Sequence, residues 1–224
     1  MPLTISAAVI HCNDLIAPPN RERTQLLGKI VRACLDSDVI LLPAGYYEYH
    51  SDSLQSVEKN VSSILQRQSS SSVVCVGVDY HKQKDQLAYA ISQEGIVSAG
   101  RKFYPTAGER DDIASAAGYM SKEAGKGRIF QINGFRCYLA VCYDCFGIRH
   151  LNLENPGIDI CLDLVHGFLP RGYGSSGDVD FARKGFAGAS MQWQCPVLGA
   201  GVFFGRNIPE NWPAGVMWSG AKSV

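Results

Sequence analysis

The chain has 224 residues, 46% of them apolar, and its 21 basic side chains balance 21 acidic ones. This length and composition predict one domain with a large core, and the absence of a Lys- or Arg-rich stripe argues against a nucleic-acid partner. No apolar run approaches the roughly 20 residues that span a bilayer, and the N-terminus lacks the pattern of a signal peptide. We therefore expect no membrane partner and a cytoplasmic location.

The predicted elements alternate between strands and helices. In chain order they are strand 3–10, helix 20–35, strand 38–42, helix 53–66, strands 73–78, 86–92, 95–103, 135–141 and 158–164, helix 178–193 and strand 195–204. Strands that are apolar on both faces, between amphipathic helices, are typical of an α/β protein with helix-covered sheets. The pattern leaves open a doubly wound sheet, a barrel and a two-sheet sandwich.

The eight cysteines lie mostly within apolar runs, which is typical of buried reduced thiols rather than of a disulfide framework. Cys142 and Cys145 form a Cys-x-x-Cys pair, but no second pair exists, and His150 and His166 lack zinc-site spacing. The sequence thus predicts neither a metal nor an organic cofactor. A redox or metal protein using Cys142 and Cys145 is the least favoured alternative.

Cys142 differs from the other cysteines in its predicted position. It follows a buried strand and precedes a polar turn, where a nucleophile is exposed and backbone N–H groups can face a developing oxyanion. The alternative is that Cys142 is one more structural thiol.

Three segments place candidate site residues at the ends of successive core elements. They are Val39-Ile40-Leu41-Leu42-Pro43 followed by Ala44, Arg101-Lys102 followed by Gly108-Glu109, and Ala140-Val141-Cys142-Tyr143-Asp144. Their order and spacing resemble the nitrilase, or carbon-nitrogen hydrolase, superfamily, in which a strand ends in Pro-Glu, an Arg-Lys pair precedes Gly-Glu, and a strand ends in Cys-Tyr-Asp. The resemblance runs from about Leu3 to Phe204.

This resemblance implies an α-β-β-α two-sheet sandwich over residues 1–224, as one domain with a shortened C-terminal edge, commonly paired into a homodimer or higher homo-oligomer. It implies hydrolysis of a carbon-nitrogen bond in a small amide or nitrile through a cysteine thioester. Cys142 would be the nucleophile, and Lys102 would stabilise the oxyanion together with the Tyr143 backbone N–H. Glu109 would position the substrate or the lysine.

Ala44 stands where the resemblance places the catalytic glutamate, and a methyl group cannot take a proton. Loss of a general base costs on the order of 10²- to 10⁴-fold in rate, so the resemblance implies an impaired or inactive hydrolase. Glu48, four residues later, could replace the base only through a different backbone path. A natural pseudoenzyme that binds an amide-like ligand or a partner protein is the main alternative.

Overall fold

The computed structural model describes residues 2–49, 54–170, 177–213 and 215–217. The strands are β1 (Ile5–Ala7), β2 (Val9–Cys12), β3 (Val39–Leu41), β4 (Tyr47–Tyr49), β5 (Val73–Tyr80), β6 (Asp85–Ser92), β7 (Gly95–Arg101), β8 (Ile129–Ile132), β9 (Phe135–Val141), β10 (Ile160–Leu164), β11 (Val197–Phe204) and β12 (Gly215–Val216). The α-helices are α1 (Asn20–Ala33), α2 (Leu54–Arg67), α3 (Asp144–His150), α4 (Asp178–Asp180) and α5 (Ala187–Trp193), with a π-helical turn, Phe181–Phe186, joining α4 to α5.

The strands form two six-stranded sheets. The first has the order β1-β3-β5-β6-β7, with β4 beside β5, and the second has the order β12-β11-β10-β9-β8, with β2 beside β11. Strands β1, β3 and β5 are parallel to one another, as are β9, β10 and β11. The carboxyl ends of neighbouring parallel strands lie at one edge of their sheet, so residues that follow these strands come close together.

Alternating side chains of β3 explain how the layers pack. Val39 and Leu41 belong to the core between the sheets, whereas Ile40 packs with residues of α1 and α2 on the opposite face. Residues of α3 and α5 pack against the second sheet. The result is the α-β-β-α two-sheet sandwich that the resemblance implied.

The first predicted strand is divided in the structure. The chain leaves β1 in the first sheet and enters β2 in the second, and between them the Ala8 N–H donates to the Leu41 carbonyl at 2.9 Å. A short apolar run does not reveal such a change of sheet, because both parts bury their side chains. Strands β4, β8 and β12 and helix α3 were also not predicted.

Helix 178–193 was predicted as one element and contains the π-helical turn. In the part of the chain that the structure describes, no helix combines the length and apolarity needed to cross a membrane.

Candidate active site

The candidate site forms where the ends of β3, β9 and β10 meet. The Cys142 N–H, just after β9, donates to the Leu164 carbonyl at 2.8 Å, and the Ala44 N–H, after β3, donates to the Val165 carbonyl at 3.2 Å. Leu164 is the last residue of β10. The end of β10 therefore brings together the first and third sequence motifs, one from each sheet.

Cys142 occupies a sharp turn between β9 and α3. Its φ is +53°, in the left-handed region that residues with a Cβ rarely adopt. The residue is only 7% exposed, which is less than a nucleophile in an open polar turn would be. Tyr143 follows directly, and its ring stacks on Phe146 with centroids 4.6 Å apart.

Lys102 is fully buried beside this turn. Its Nζ donates to Gln86 Oε1 at 2.9 Å and to both carboxylate oxygens of Glu109 at 2.8 Å, and it lies 5.8 Å from the centre of the Tyr143 ring. Burial lowers the pKa of Lys102, but the negative charges of Cys142 and Glu109 raise it more, so the pKa lies above its usual value. Lys102 is therefore a cation that interacts electrostatically with Cys142. Gln86 was not identified from sequence.

Glu109 forms an ion pair with Lys102 and a hydrogen bond with its own loop. One of its oxygens, Oε2, also accepts a hydrogen bond from the Thr106 N–H at 2.9 Å. Partial burial raises the pKa of Glu109, but Lys102 and Thr106 lower it more, to about 2. Glu109 is thus an ionised partner that fixes the position of the lysine.

Asp144 joins the Lys102 segment to the Cys142 turn. Its Oδ1 accepts hydrogen bonds from the N–H groups of Phe103 and Tyr104 at 2.8 and 2.9 Å. Its Oδ2 accepts from the Val141 N–H at 3.1 Å and from Arg128 Nη1 at 2.9 Å. Asp144 therefore connects the second motif to the third through the Phe103 and Tyr104 N–H groups, and its ion pair with Arg128 is completely buried.

The position after Pro43 is tightly enclosed by β5. A Cβ added at Gly77 would lie 2.2 Å from the Ala44 Cα, so only glycine allows β5 to pass this close. Two residues further along β5, Asp79 Oδ2 would lie 3.0 Å from a Cβ at Gly45, whose φ is +59°. The space beside Ala44 is therefore close to the carboxylate of Asp79.

Glu48 lies in β4 and is paired with other side chains. Its Oε1 is 3.0 Å from Arg23 Nη2, and its Oε2 is 3.4 Å from His81 Nε2. Arg23 also donates to the carbonyls of Gly45 and Tyr46 at 2.9 Å. Glu48 therefore holds α1 to the segment after Ala44, and a role in proton transfer would require it to leave these partners.

The site contains a histidine and an aspartate that the sequence analysis did not identify as site residues. His166 Nε2 lies 3.2 Å from Asp79 Oδ2 and 3.3 Å from Oδ1. His166 follows β10 by two residues, and Asp79 lies near the end of β5. Their positions at the carboxyl ends of apolar strands are the available sequence signal, whereas zinc-ligand spacing was the only criterion applied to His166.

The charges around Cys142 favour its thiolate. Burial raises the pKa of Cys142, but Lys102 and then His166 lower it more, so the pKa lies below its usual value. Burial lowers the pKa of His166, while Asp79 and Cys142 raise it more, to about 10. Near neutral pH, these shifts favour a thiolate with two neighbouring cations.

A cavity of about 360 Å³ adjoins this cluster. Its lining includes Ala44, Gly45, Asp79 and His166. Among the described residues, Cys142 and Lys102 are not part of that lining, and both are buried. Ala44, Glu48, Asp79 and His166 are therefore site residues that face the cavity.

All eight cysteines lie in the described ranges, and all are free thiols. Burial raises the pKa of Cys145 well above its usual value, as it does for Cys75, so neither shares the environment of Cys142. Within residues 2–49, 54–170, 177–213 and 215–217, no group of three or more His, Cys, Asp or Glu side chains is arranged to hold a metal ion.

We expect Cys142 to be the cysteine that limiting iodoacetamide alkylates fastest in the native protein at neutral pH, because the thiolate is the reactive form. Peptide mapping by mass spectrometry at successive times would measure the order of labelling. Protein unfolded in urea is the control, since there the eight rates should become similar. Faster labelling of the more exposed Cys12 or Cys34 would contradict the special environment of Cys142.

The fold is similar to solved structures of nitrilase-superfamily enzymes. An amidase mutant from Nesterenkonia sp. AN1, with acrylamide added to its active-site cysteine, matches with a TM-score of 0.64 and 10% identity over 89% of this chain and 78% of that one. A CN-hydrolase superfamily protein from Xanthomonas campestris, with an arsenic adduct in its active site, has a TM-score of 0.63 and 13% identity over 95% and 80% of the two chains.

The carbon-nitrogen hydrolase from Helicobacter pylori also has a TM-score of 0.63, with 12% identity over 89% of this chain and 73% of that one. No protein-family model and no curated protein sequence matches this chain. At these identities the similarity establishes the fold, and the chemistry has to be argued from the site.

Proposed function

We propose that this chain hydrolyses the carbon-nitrogen bond of a small amide through a thioester on Cys142. The observation that carries the proposal is the pairing of a buried, charged Lys102 with Cys142, whose pKa is lowered. A cation in a site that excludes water stabilises both the thiolate and the oxyanion formed after attack on a carbonyl. Nitriles are a second substrate class for the same nucleophile.

Glu109 is proposed to hold the lysine rather than to exchange protons with the substrate. Both of its oxygens contact Lys102 Nζ, and its pKa of about 2 makes it a weak base. The Tyr143 backbone N–H, adjacent to Cys142 in the chain, is the proposed second oxyanion donor. Homo-oligomeric assembly stays a prediction from the resemblance.

Ala44 leaves the chain without a carboxylate at the position where the resemblance places the general base. Hydrolysis without a general base would be slower by about 10²- to 10⁴-fold. Glu48 is paired with Arg23 and His81, and Glu109 is paired with Lys102. Either carboxylate would have to break its ion pair before it could accept a proton. Efficient turnover therefore requires another group as the general base.

The test is a panel of aliphatic amides, ω-amides, ureido acids and nitriles, with ammonia release as the measurement of turnover. For a substrate that reacts, acid quenching during turnover should trap a mass increase equal to the acyl group, and peptide mapping should place it on Cys142. The Cys34→Ala variant is the matched control and should form the same adduct. An acyl group on another residue, or no turnover of any panel member by folded protein, would contradict the proposal.

A further inference from the structure

The two ring nitrogens of His166 have different surroundings. Its Nε2 lies within hydrogen-bonding distance of both oxygens of Asp79, at 3.2 and 3.3 Å. A carboxylate can only accept, so Nε2 carries the proton and Nδ1 is left for a second interaction. The Nδ1 atom is shielded from solvent and has no hydrogen-bond partner among the described residues.

Backbone hydrogen bonds place His166 close to the nucleophile. Cys142 donates its N–H to Leu164, two residues before His166, and Ala44 donates its N–H to Val165, one residue before it. The imidazole is close enough to Cys142 for each group to shift the pKa of the other. Catalytic hydrogen bonds are often long in the absence of substrate and shorten in the complex. Cys142 Sγ is thus the natural partner for Nδ1.

We propose that Cys142, His166 and Asp79 form a catalytic triad in which His166 takes over the proton transfers that a carboxylate at position 44 would otherwise perform. This inference rests on the proposed function, since it assigns the acid and base of the same reaction. Asp79 acts as the positioning residue, because it holds the imidazole through Nε2. Ala44 then leaves room beside the ring instead of marking a lost activity.

The chemistry balances with water and an amide alone. In acylation the Cys142 thiolate bonds to the carbonyl carbon, the C–N bond breaks, and the proton on His166 Nδ1 passes to the departing nitrogen. The products are a thioester, an amine or ammonia, and a neutral imidazole. In deacylation His166 Nδ1 takes a proton from water as its oxygen bonds to the thioester carbon. The C–S bond then breaks, which releases the carboxylic acid and restores the thiolate and the imidazolium.

The neighbouring charges are compatible with this cycle. Among charged groups, Lys102 has the largest effect on the pKa of Cys142 and Asp79 the largest effect on that of His166, and each favours the charged form of its neighbour. Burial raises the pKa of Asp163, in β10, well above its usual value and so favours the neutral form of that carboxyl. The same cavity is lined by His11, Cys12 and the Arg23–Glu48 ion pair. Loss of the thiolate's charge on acylation removes one cause of the high His166 pKa, which favours the neutral imidazole that must accept a proton in deacylation.

The predicted pH dependence has two limbs. Activity should fall at low pH as the thiolate is protonated, and at high pH as His166, with its pKa of about 10, loses its proton. The Asp79→Asn variant removes the charge that raises the His166 pKa, so the upper limb should move to lower pH. A merely structural role for Asp79 would lower activity without moving that limb.

The experiment compares turnover and Cys142 alkylation in wild type, His166→Ala, His166→Asn, Asp79→Asn and Ala44→Glu. Both His166 variants should lose about 10²- to 10⁴-fold in kcat. Their Cys142 alkylation profile should shift to higher pH, because one cation beside the thiolate is gone. His81→Ala is the matched control, since His81 is half exposed and lies two residues beyond Asp79. It should leave both readouts unchanged, and circular dichroism would confirm folding of each variant.

The outcomes separate this inference from the proposed function. Turnover and alkylation that are unchanged in folded His166→Asn would overturn the triad and leave the hydrolase standing. Turnover that appears only in Ala44→Glu would also overturn the triad, because the base would then be the missing carboxylate. A shifted alkylation profile with no turnover of any amide would support the Cys142 and His166 pair and contradict the proposed reaction.

Discussion

Replacing Cys142 with alanine is expected to abolish amide turnover, with a loss of about 10⁴-fold or more, because no thioester can form without the sulfur. Cys142→Ser should also be inactive. A hydroxyl ionises far less readily than a thiol, and the arrangement around Cys142 stabilises a group that is already an anion. Initial rates of ammonia release, with the most active amide of the panel, would measure both effects.

Folding and specificity have to be controlled in that comparison. The Cys142 residue is buried, but alanine removes only the sulfur atom, so the melting temperature should change little compared with the loss in rate. Cys145→Ala removes a fully buried thiol three residues away and tests whether any thiol of this region suffices. Turnover that persists in Cys142→Ala, above that of a mock purification, would rule out the thioester mechanism.

Asp144→Ala is expected to lower the free energy of unfolding by about 3–5 kcal/mol, which is typical when one partner of a buried ion pair is removed. The reason is that Arg128 would keep a buried charge without its carboxylate, and three backbone N–H groups would lose their acceptor. Urea unfolding followed by circular dichroism would measure the change, provided that the transition is two-state.

An exposed pair of the same chemistry provides the control for Asp144. Asp180 lies 3.2 Å from Lys184 with both side chains more than half exposed. Removal of such a surface pair typically changes stability by less than about 1 kcal/mol. Asp144→Asn keeps the shape and one acceptor oxygen, so its loss should lie between those of Asp180→Ala and Asp144→Ala. A loss in Asp144→Ala as small as that of the control would show that the buried carboxylate and its partners do not stabilise the fold.

Local pattern identified most of the elements but not their assignment to sheets. Helix α1 was predicted to begin at Asn20, as it does, and β9 was predicted with its observed bounds. Helical and strand periodicity is a property of neighbouring residues, so the sequence displays it directly. The seven-residue α3 is too short for its sequence to display a helical repeat, and the three residues of β4 are too few to display a strand repeat.

For the site, the sequence by itself determined that Lys102, Glu109 and Cys142 follow core strands in a recognisable order and that no carboxylate stands at position 44. Only the tertiary structure decided that the chain passes from the first sheet to the second at Ala8, since the segments on both sides of Ala8 are apolar. It also decided that Asp79 and His166, 87 residues apart, meet beside Cys142. The physical reason is that these contacts arise where strand ends from two sheets converge, and sequence spacing carries no information about which ends become neighbours.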